Sequence, residues 1–236
     1  MDTIKNLCLI PAKAASSRLK KKNILKINGK ELLYYPIKAA QDSGLFNNDI
    51  FVSTESEEIR SIAIKHGARV PFLRDKRLVK DPYGVVDVAL DFLKKEHEFK
   101  AYSNIFILLP TLPMIIPEDI VKAFEIFKKR NYKCLISVTE TEQSAFRSVI
   151  IENNEVKPVF PENMLKKSQE VEKTYETNAG IIILDIEDFL VTGKHYFYFI
   201  RPLGAYILPR ERAVDIDTEF EYKLAKLMME TKNIFI

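Results

Sequence analysis

Short apolar runs alternate with helical stripes along most of this chain, and that alternation leaves few folds open. Asn6–Ile10 is a buried strand in character, closed by Pro11. Asp49–Ser53 and Cys134–Val138 repeat the pattern, and Asn104–Leu109, the most hydrophobic run, reads as a central strand covered on both faces. Arg69–Leu73 reads as a further strand, short or at an edge because Pro71 cannot donate to a ladder. Between these runs, Leu32–Gln41 and Val85–Lys95 have helical spacing. Thr54 with Glu57 three residues on predicts a capped helix whose face is Ile59, Ile62 and Ala63, stopped by Gly67. Pro117, Glu118 and Asp119 suit a helix N-terminus, followed by an apolar face of Ile120, Ala123, Phe124 and Phe127. Strand-like runs return at Ala179–Leu184 and Ala205–Leu208. A last helix opens at Thr218 with Glu221 as its capping partner, and Phe220, Leu224 and Leu227 are expected to face inward. Repeated strand–helix units predict an α/β fold: a mostly parallel, Rossmann-like sheet with helices on both faces.

Composition narrows the function. With 236 residues and 47% hydrophobic content the chain suits a single domain spanning 1–236, well supplied for a core. No apolar run approaches the roughly 20 residues of a membrane span, and the opening Met1–Lys5 is not a targeting signal in composition. Cys8 and Cys134 lie in apolar runs and read as buried thiols of a reducing cytoplasm. The scattered His66, His97 and His195 form no zinc-binding pattern. A net charge of +3 is too balanced for general nucleic-acid binding. The charge is local instead: Lys13, Arg18, Lys20, Lys21 and Lys22 lie between Ala12 and Asn23 with no acid among them.

In an open parallel sheet, ligands bind beyond the carboxyl ends of the strands. The basic stretch follows the first strand, where small residues admit a close ligand and lysines neutralise phosphate. A lysine triplet by itself is an ordinary solvated loop, and neither GxxxxGK[ST] nor GxGxxG is present; the placement is what points to phosphate. A second feature is Val214–Thr218, in which an extended backbone turns Asp215 and Asp217 to one side. Two converging carboxylates need a cation, and Mg²⁺ typically takes one or two with phosphate and water completing its octahedron. Taken alone the pair reads as helix capping plus a surface acid. Together the two features describe a nucleotidyltransferase better than a binding module.

Six ordered motifs then resemble one family, the acylneuraminate (CMP-nonulosonic acid) cytidylyltransferases, with the pseudaminate branch nearest. Ile10–Asn23 is similar to the family's opening IPAR-G-G-S…KN, Phe51–Ile59 to VSTDDEEI, Val70–Arg74 to VPFLR, and Pro110–Pro113 to PTxP. Lys167–Glu170 with Tyr175 resembles RSQD…Y, and Asp215–Thr218 the metal-site motif. The resemblance implies a nucleotide-diphospho-sugar transferase fold and transfer of CMP from CTP to a nine-carbon keto-sugar acid, releasing pyrophosphate. It implies that Lys13, Ser16 and Lys22 hold the triphosphate, with Ala12, Ala14 and Asn23 in the same nucleotide loop. Lys13, Lys22 and Asp217 would be catalytic, and Asp215 and Asp217 would bind Mg²⁺. Arg74 would face the nucleotide; Leu109, Gln169, Tyr175 and Asn178 would face the sugar. It further implies a homodimer in which the non-periodic 139–177 stretch, carrying Pro158 and Pro161, reaches over the neighbouring site.

The departures are informative. Lys13 replaces the family arginine and loses a bidentate grip, Ala14 and Ala15 replace a glycine pair, and Glu170 replaces an aspartate. Leu109 replaces a sugar-binding glutamine, which disfavours ordinary N-acetylneuraminate, and Ile115 stands where many members carry arginine. Other readings are a catalytically degraded nucleotide-binding relative and a cytidylyltransferase for another keto-sugar acid such as an octulosonic acid.

Overall fold

The computed structural model describes residues 5–16, 18–96, 99–192 and 197–231; Ser17 of the basic stretch, His97 and His195 lie outside them. In chain order the first half comprises β1 (Asn6–Pro11), β2 (Lys26–Ile27), β3 (Lys30–Glu31), α1 (Tyr34–Asp42), β4 (Ile50–Ser53), α2 (Glu57–Lys65), α3 (Val85–Lys95) and β5 (Asn104–Leu108). The second half comprises α4 (Pro117–Lys129), β6 (Cys134–Glu140), β7 (Val149–Glu152), β8 (Glu155–Pro158), α5 (Pro161–Met164), β9 (Tyr175–Asp185), α6 (Ile186–Thr192), β10 (Leu203–Ile207) and α7 (Glu219–Glu230).

Six strands form one sheet in the order β10-β6-β9-β5-β1-β4. All neighbours are parallel except β9, which runs antiparallel to both β5 and β6. Alternating residues of β1 show how the sheet is covered. Cys8 and Ile10 join a core with α1, α2 and α4, while Leu7 and Leu9 face the opposite core with α3 and α6. Cys8 and Cys134 are buried free thiols, and burial pushes the Cys134 thiol up to about 12.

Three local expectations give way to tertiary structure. Arg69–Leu73 is not a strand: Arg69 alone bridges Phe51, and Pro71 has no N–H with which to continue the ladder. Thr54 does not cap α2. Ser56 does, accepting from the Ile59 amide at 3.4 Å, while the buried Thr54 accepts from the Ser56 amide at 3.2 Å. On α7 the inward residues are Tyr222, Ala225 and Met229, whereas Phe220, Leu224 and Leu227 are exposed. The fully buried Ala225 lets the helix approach the β2–β3 hairpin, and the Tyr222 hydroxyl donates to the Lys26 carbonyl at 2.7 Å. Cap and first-turn readings hold at Gly67, at Pro117 and at Thr218.

The hairpin β2–β3 follows the basic stretch and is tied to α2 by a buried pair, His66 Nε2 and Glu31 Oε2 at 2.9 Å. Burial works against the Glu31 charge, but the His66 hydrogen bond, its own backbone amide and Lys26 bring its pKa down to about 2. A carboxylate so lowered contributes stability that is complete above the ordinary glutamate range and lost as pH falls toward 2. Glu31→Gln is therefore expected to cost about 2 kcal/mol at pH 7. Urea unfolding from pH 7 to pH 2 should show that difference shrinking to nothing.

Candidate active site

The sheet reverses direction of winding at β1: the chain leaves β1 for β4 on one side and returns to β5 on the other. A crevice at such a switch point needs no further secondary structure to open it, because the loops after β1 and β5 diverge to opposite faces. A cleft of about 270 Å³ lies there. Its lining comes from four parts of the chain: Pro11, Lys13, Ser16, Lys22 and Asn23 of the basic stretch, Arg74 with Leu78, Val79, Tyr83, Gly84, Val85 and Val88, Leu109–Thr111 after β5, and Asp215 with Asp217. The positively charged turn and the two aspartates thus meet at one cleft, with Lys22 and Arg18 at ion-pair distance from Asp217.

Backbone hydrogen bonds shape the basic turn. The Ala12 amide donates to the Ser53 carbonyl at 2.9 Å, and the Ala14 amide to Glu55 Oε1 at 2.7 Å. The other Glu55 oxygen accepts from Arg74 at 2.7 Å, with both side chains largely buried. Asn23, itself buried, donates from Nδ2 to the Lys13 carbonyl at 2.8 Å and closes the turn. Neither Ala14 nor Ala15 takes a positive φ, so methyl groups in place of glycine strain nothing. The strain falls on Lys21 instead, at φ 53°.

Opposite the turn, Ile216 is fully buried and its amide donates to the Thr111 carbonyl at 2.8 Å. This places Asp215, with a buried oxygen, and the more exposed Asp217 along the cleft. Lys22 Nζ lies 2.7 Å from Asp217 Oδ1 and Arg18 lies 2.5 Å from Oδ2. Burial opposes the Asp217 charge, yet Lys22 and Arg18 hold its carboxyl below the usual aspartate range. Asp215 goes the other way. Burial, with Asp217 nearby, raises its pKa despite a hydrogen bond with Thr111.

Among the described residues three buried side-chain polar atoms have no hydrogen-bond partner: Ser16 Oγ, Arg74 Nε and Asp215 Oδ1. All three belong to residues lining this cleft. Each such atom costs about 1–3 kcal/mol when left unmade, so their convergence marks a place prepared for a polar ligand. The donor set fits a hard divalent cation in particular. Two carboxylates, Asp215 and Asp217, supply hard oxygen donors, and such a cation takes one or two carboxylates with phosphate and water in its other positions.

The sugar-facing residues are placed differently. Leu109 lines the cleft. Asn178 sits on β9 just beyond the end of β5, and its side chain is engaged with Ser137 (2.5 Å), Thr139 (2.8 Å) and the Gly180 amide (3.1 Å). Gln169 and Tyr175 are exposed on and beside the excursion between β6 and β9, away from the cleft lining. Ile115 is a core residue packed with Leu112 against Gly180, where an added Cβ would meet them at 2.8 and 2.9 Å. The sequence reading missed the lining at residues 78–88, where Tyr83, Gly84 and Val85 bring the α3 N-terminus to the cleft. A glycine before a helical stripe in a parallel-sheet protein was the available signal. Arg18, Glu55 and Thr111 lie in stretches that the sequence singles out, but their individual roles depend on partners distant in sequence.

Comparison with known proteins gives the family. A cytidylyltransferase family model matches residues 7–202. The chain belongs to the cytidylyltransferase family. It is 32% identical to the pseudaminic acid cytidylyltransferase of Campylobacter jejuni, covering 98% of each chain. It is also 32% identical to the CMP-N,N'-diacetyllegionaminic acid synthase of Legionella pneumophila, covering 95% of this chain and 96% of that one. Among solved structures, CMP:2-keto-3-deoxy-manno-octonic acid synthetase complexed with CTP superposes with a TM-score of 0.72 at 14% identity, over 97% of this chain and 99% of that one. That likeness is one of fold.

Lys21 lies outside the chemistry yet holds the left-handed backbone of the turn, with its Nζ on the exposed Glu58 at 3.0 Å. In this cytidylyltransferase Lys21→Gly should stabilise by about 0.5 kcal/mol, the relief of left-handed strain exceeding the extra freedom of the unfolded glycine. Chemical denaturation checks the sign.

Proposed function

We propose that this cytidylyltransferase transfers CMP from CTP to the anomeric hydroxyl of a nonulosonic acid of the pseudaminic or legionaminic type, releasing pyrophosphate. The observation that carries the proposal is the convergence of three unpartnered polar atoms on a cleft lined by cations and by a pair of carboxylates. The sugar class rests on the two relatives named above and on Leu109, an apolar lining residue where a glutamine amide would read an extra hydroxyl or amide.

In this reading Lys13, Lys22 and Ser16 hold the triphosphate, and Arg74 presents its unpartnered Nε to the nucleotide. Asn23 keeps the turn closed through the Lys13 carbonyl. Phosphate oxygens give Lys22 and Arg18 new partners, freeing Asp217. Asp215 and Asp217 would then hold Mg²⁺, which when bound neutralises phosphate charge and favours ionisation of the attacking hydroxyl. The hydroxyl displaces pyrophosphate in line at the α-phosphorus, and the protein contributes positioning and charge complementarity. Buried thiols at Cys8 and Cys134 suit a cytoplasmic enzyme.

A coupled pyrophosphate-release assay with CTP, Mg²⁺ and pseudaminic, legionaminic, neuraminic or octulosonic acid tests the reading. Turnover is expected with the first two. CTP binding without turnover on any sugar supports the degraded relative instead. Asp217→Asn should lower turnover at least about a hundredfold while leaving the circular dichroism spectrum unchanged.

The excursion at 141–174 belongs to the same reading. β7 and β8 pair only with each other, every residue of both is exposed, and the apolar Ile150, Ile151 and Val156 face solvent. An isolated two-stranded hairpin is marginal in water, and a second copy of the chain is the cover this proposal assigns to it. It is also the means by which Gln169 and Tyr175 would reach a sugar. Light scattering should give twice the mass of one chain, and Ile151→Asp should give monomers with reduced turnover.

A further inference from the structure

One buried, four-fold hydrogen-bonded carboxylate has no part in the chemistry above. Asp119, at the start of α4, is 1% exposed. It accepts from the Ile116 amide at 3.1 Å, from the Tyr206 hydroxyl on β10 at 2.7 Å, and from Arg212 twice, through Nε and a terminal nitrogen, both at 2.8 Å. The helix needs only the amide bond as a cap. The fork from Arg212 adds something else, because Arg212 lies three residues before Asp215 on a segment that has no regular structure from Ala213 to Asp217.

Besides the contacts of the two aspartates themselves, Asp215 with Thr111 and Asp217 with Lys22 and Arg18, that segment is fastened at two points. Arg212 fastens its beginning to Asp119, and the Ile216 amide fastens its end to the Thr111 carbonyl at 2.8 Å. Both anchor points belong to one stretch of chain, the connection from β5 into α4. Between them Asp215 carries a buried, unpartnered oxygen toward the cleft. A carboxylate offered to a cation of strict octahedral preference works only when its orientation is maintained. A buried ion pair is in general a poor way to gain stability and a better way to specify one arrangement.

We propose that Arg212 is a positioning residue: its two-pronged bond to Asp119 sets the orientation of the Asp215–Asp217 pair and thereby the enzyme's affinity for the divalent cation. This rests on the transferase reading, in which those aspartates hold Mg²⁺. A purely structural role would alter folding and leave metal affinity alone.

Arg212→Lys is the informative variant, because it keeps a cation beside the buried Asp119 and removes the fork. Binding of Mn²⁺ to the CTP complex without sugar acid, followed by electron paramagnetic resonance, should weaken at least fivefold. The Mg²⁺ concentration for half-maximal turnover should rise by a similar factor, while CTP affinity measured without metal stays as in the wild type. Arg60→Lys, in a surface pair with Glu57, should change none of these. If Arg212→Lys proves unfolded, the neutral double variant Asp119→Asn/Arg212→Gln is measured in the same way. Wild-type Mn²⁺ affinity in a folded variant overturns the inference and leaves the transferase reading intact. A wild-type protein that binds neither CTP nor Mn²⁺–CTP overturns both.

Discussion

Two carboxylates beyond the strand ends of a mostly parallel sheet repel each other unless positive charge stands against them, and the active end of this molecule is arranged around that requirement. Without substrate, Lys22 and Arg18 supply the charge to Asp217, from a turn about 195 residues earlier in the chain. Asp215, deeper and without such a partner, responds in the opposite sense, its proton affinity raised by burial. The contrast prepares the cleft for a ligand that brings both signs of charge: phosphate for the cations and a metal ion for the acids. The sheet topology makes the meeting possible, since the crevice opens where strand order reverses beside β1.

What could be read in the sequence, and what could not, divides along physical lines. Buried strands such as Asn6–Ile10 and Asn104–Leu108 announce themselves because both faces are covered and every residue is apolar or nearly so. The helix signals at Gly67, Pro117 and Thr218 rest on local backbone requirements that tertiary contacts do not override. Parallel against antiparallel is another matter. β9 is as apolar as its neighbours over Ile181–Leu184, and only the route of the chain after the 141–174 excursion makes it antiparallel. Likewise α7 carries apolar residues on more than one face, and the choice of Tyr222, Ala225 and Met229 follows from the shape of the β2–β3 hairpin beneath it.

The candidate site shows the same division. Lys13, Ser16, Lys22, Asn23, Arg74, Leu109, Asp215 and Asp217 all converge on one cleft from four separated segments, which motif order anticipates but spacing alone does not. Gln169 and Tyr175 stand apart from it within a single chain, exposed on and beside the excursion between β6 and β9. Among the supporting residues, Glu55 and Thr111 lie within family-like motifs and Asp119 at an expected helix start, whereas Arg212 carries no motif, and for none of the four is the partner legible locally. Their significance lies in pairings across 19 to 105 positions, visible only after folding.

The most direct measurement is a crystal structure determined with CTP and Mn²⁺, using anomalous scattering to locate the metal. The account predicts an anomalous peak bridged by Asp215 and Asp217, triphosphate oxygens on Lys13, Ser16 and Lys22, and Asp217 released from Arg18. Nucleotide bound on another face, or a triphosphate in the cleft with Lys22 and Arg18 still closed on Asp217 and no metal between the aspartates, would contradict it.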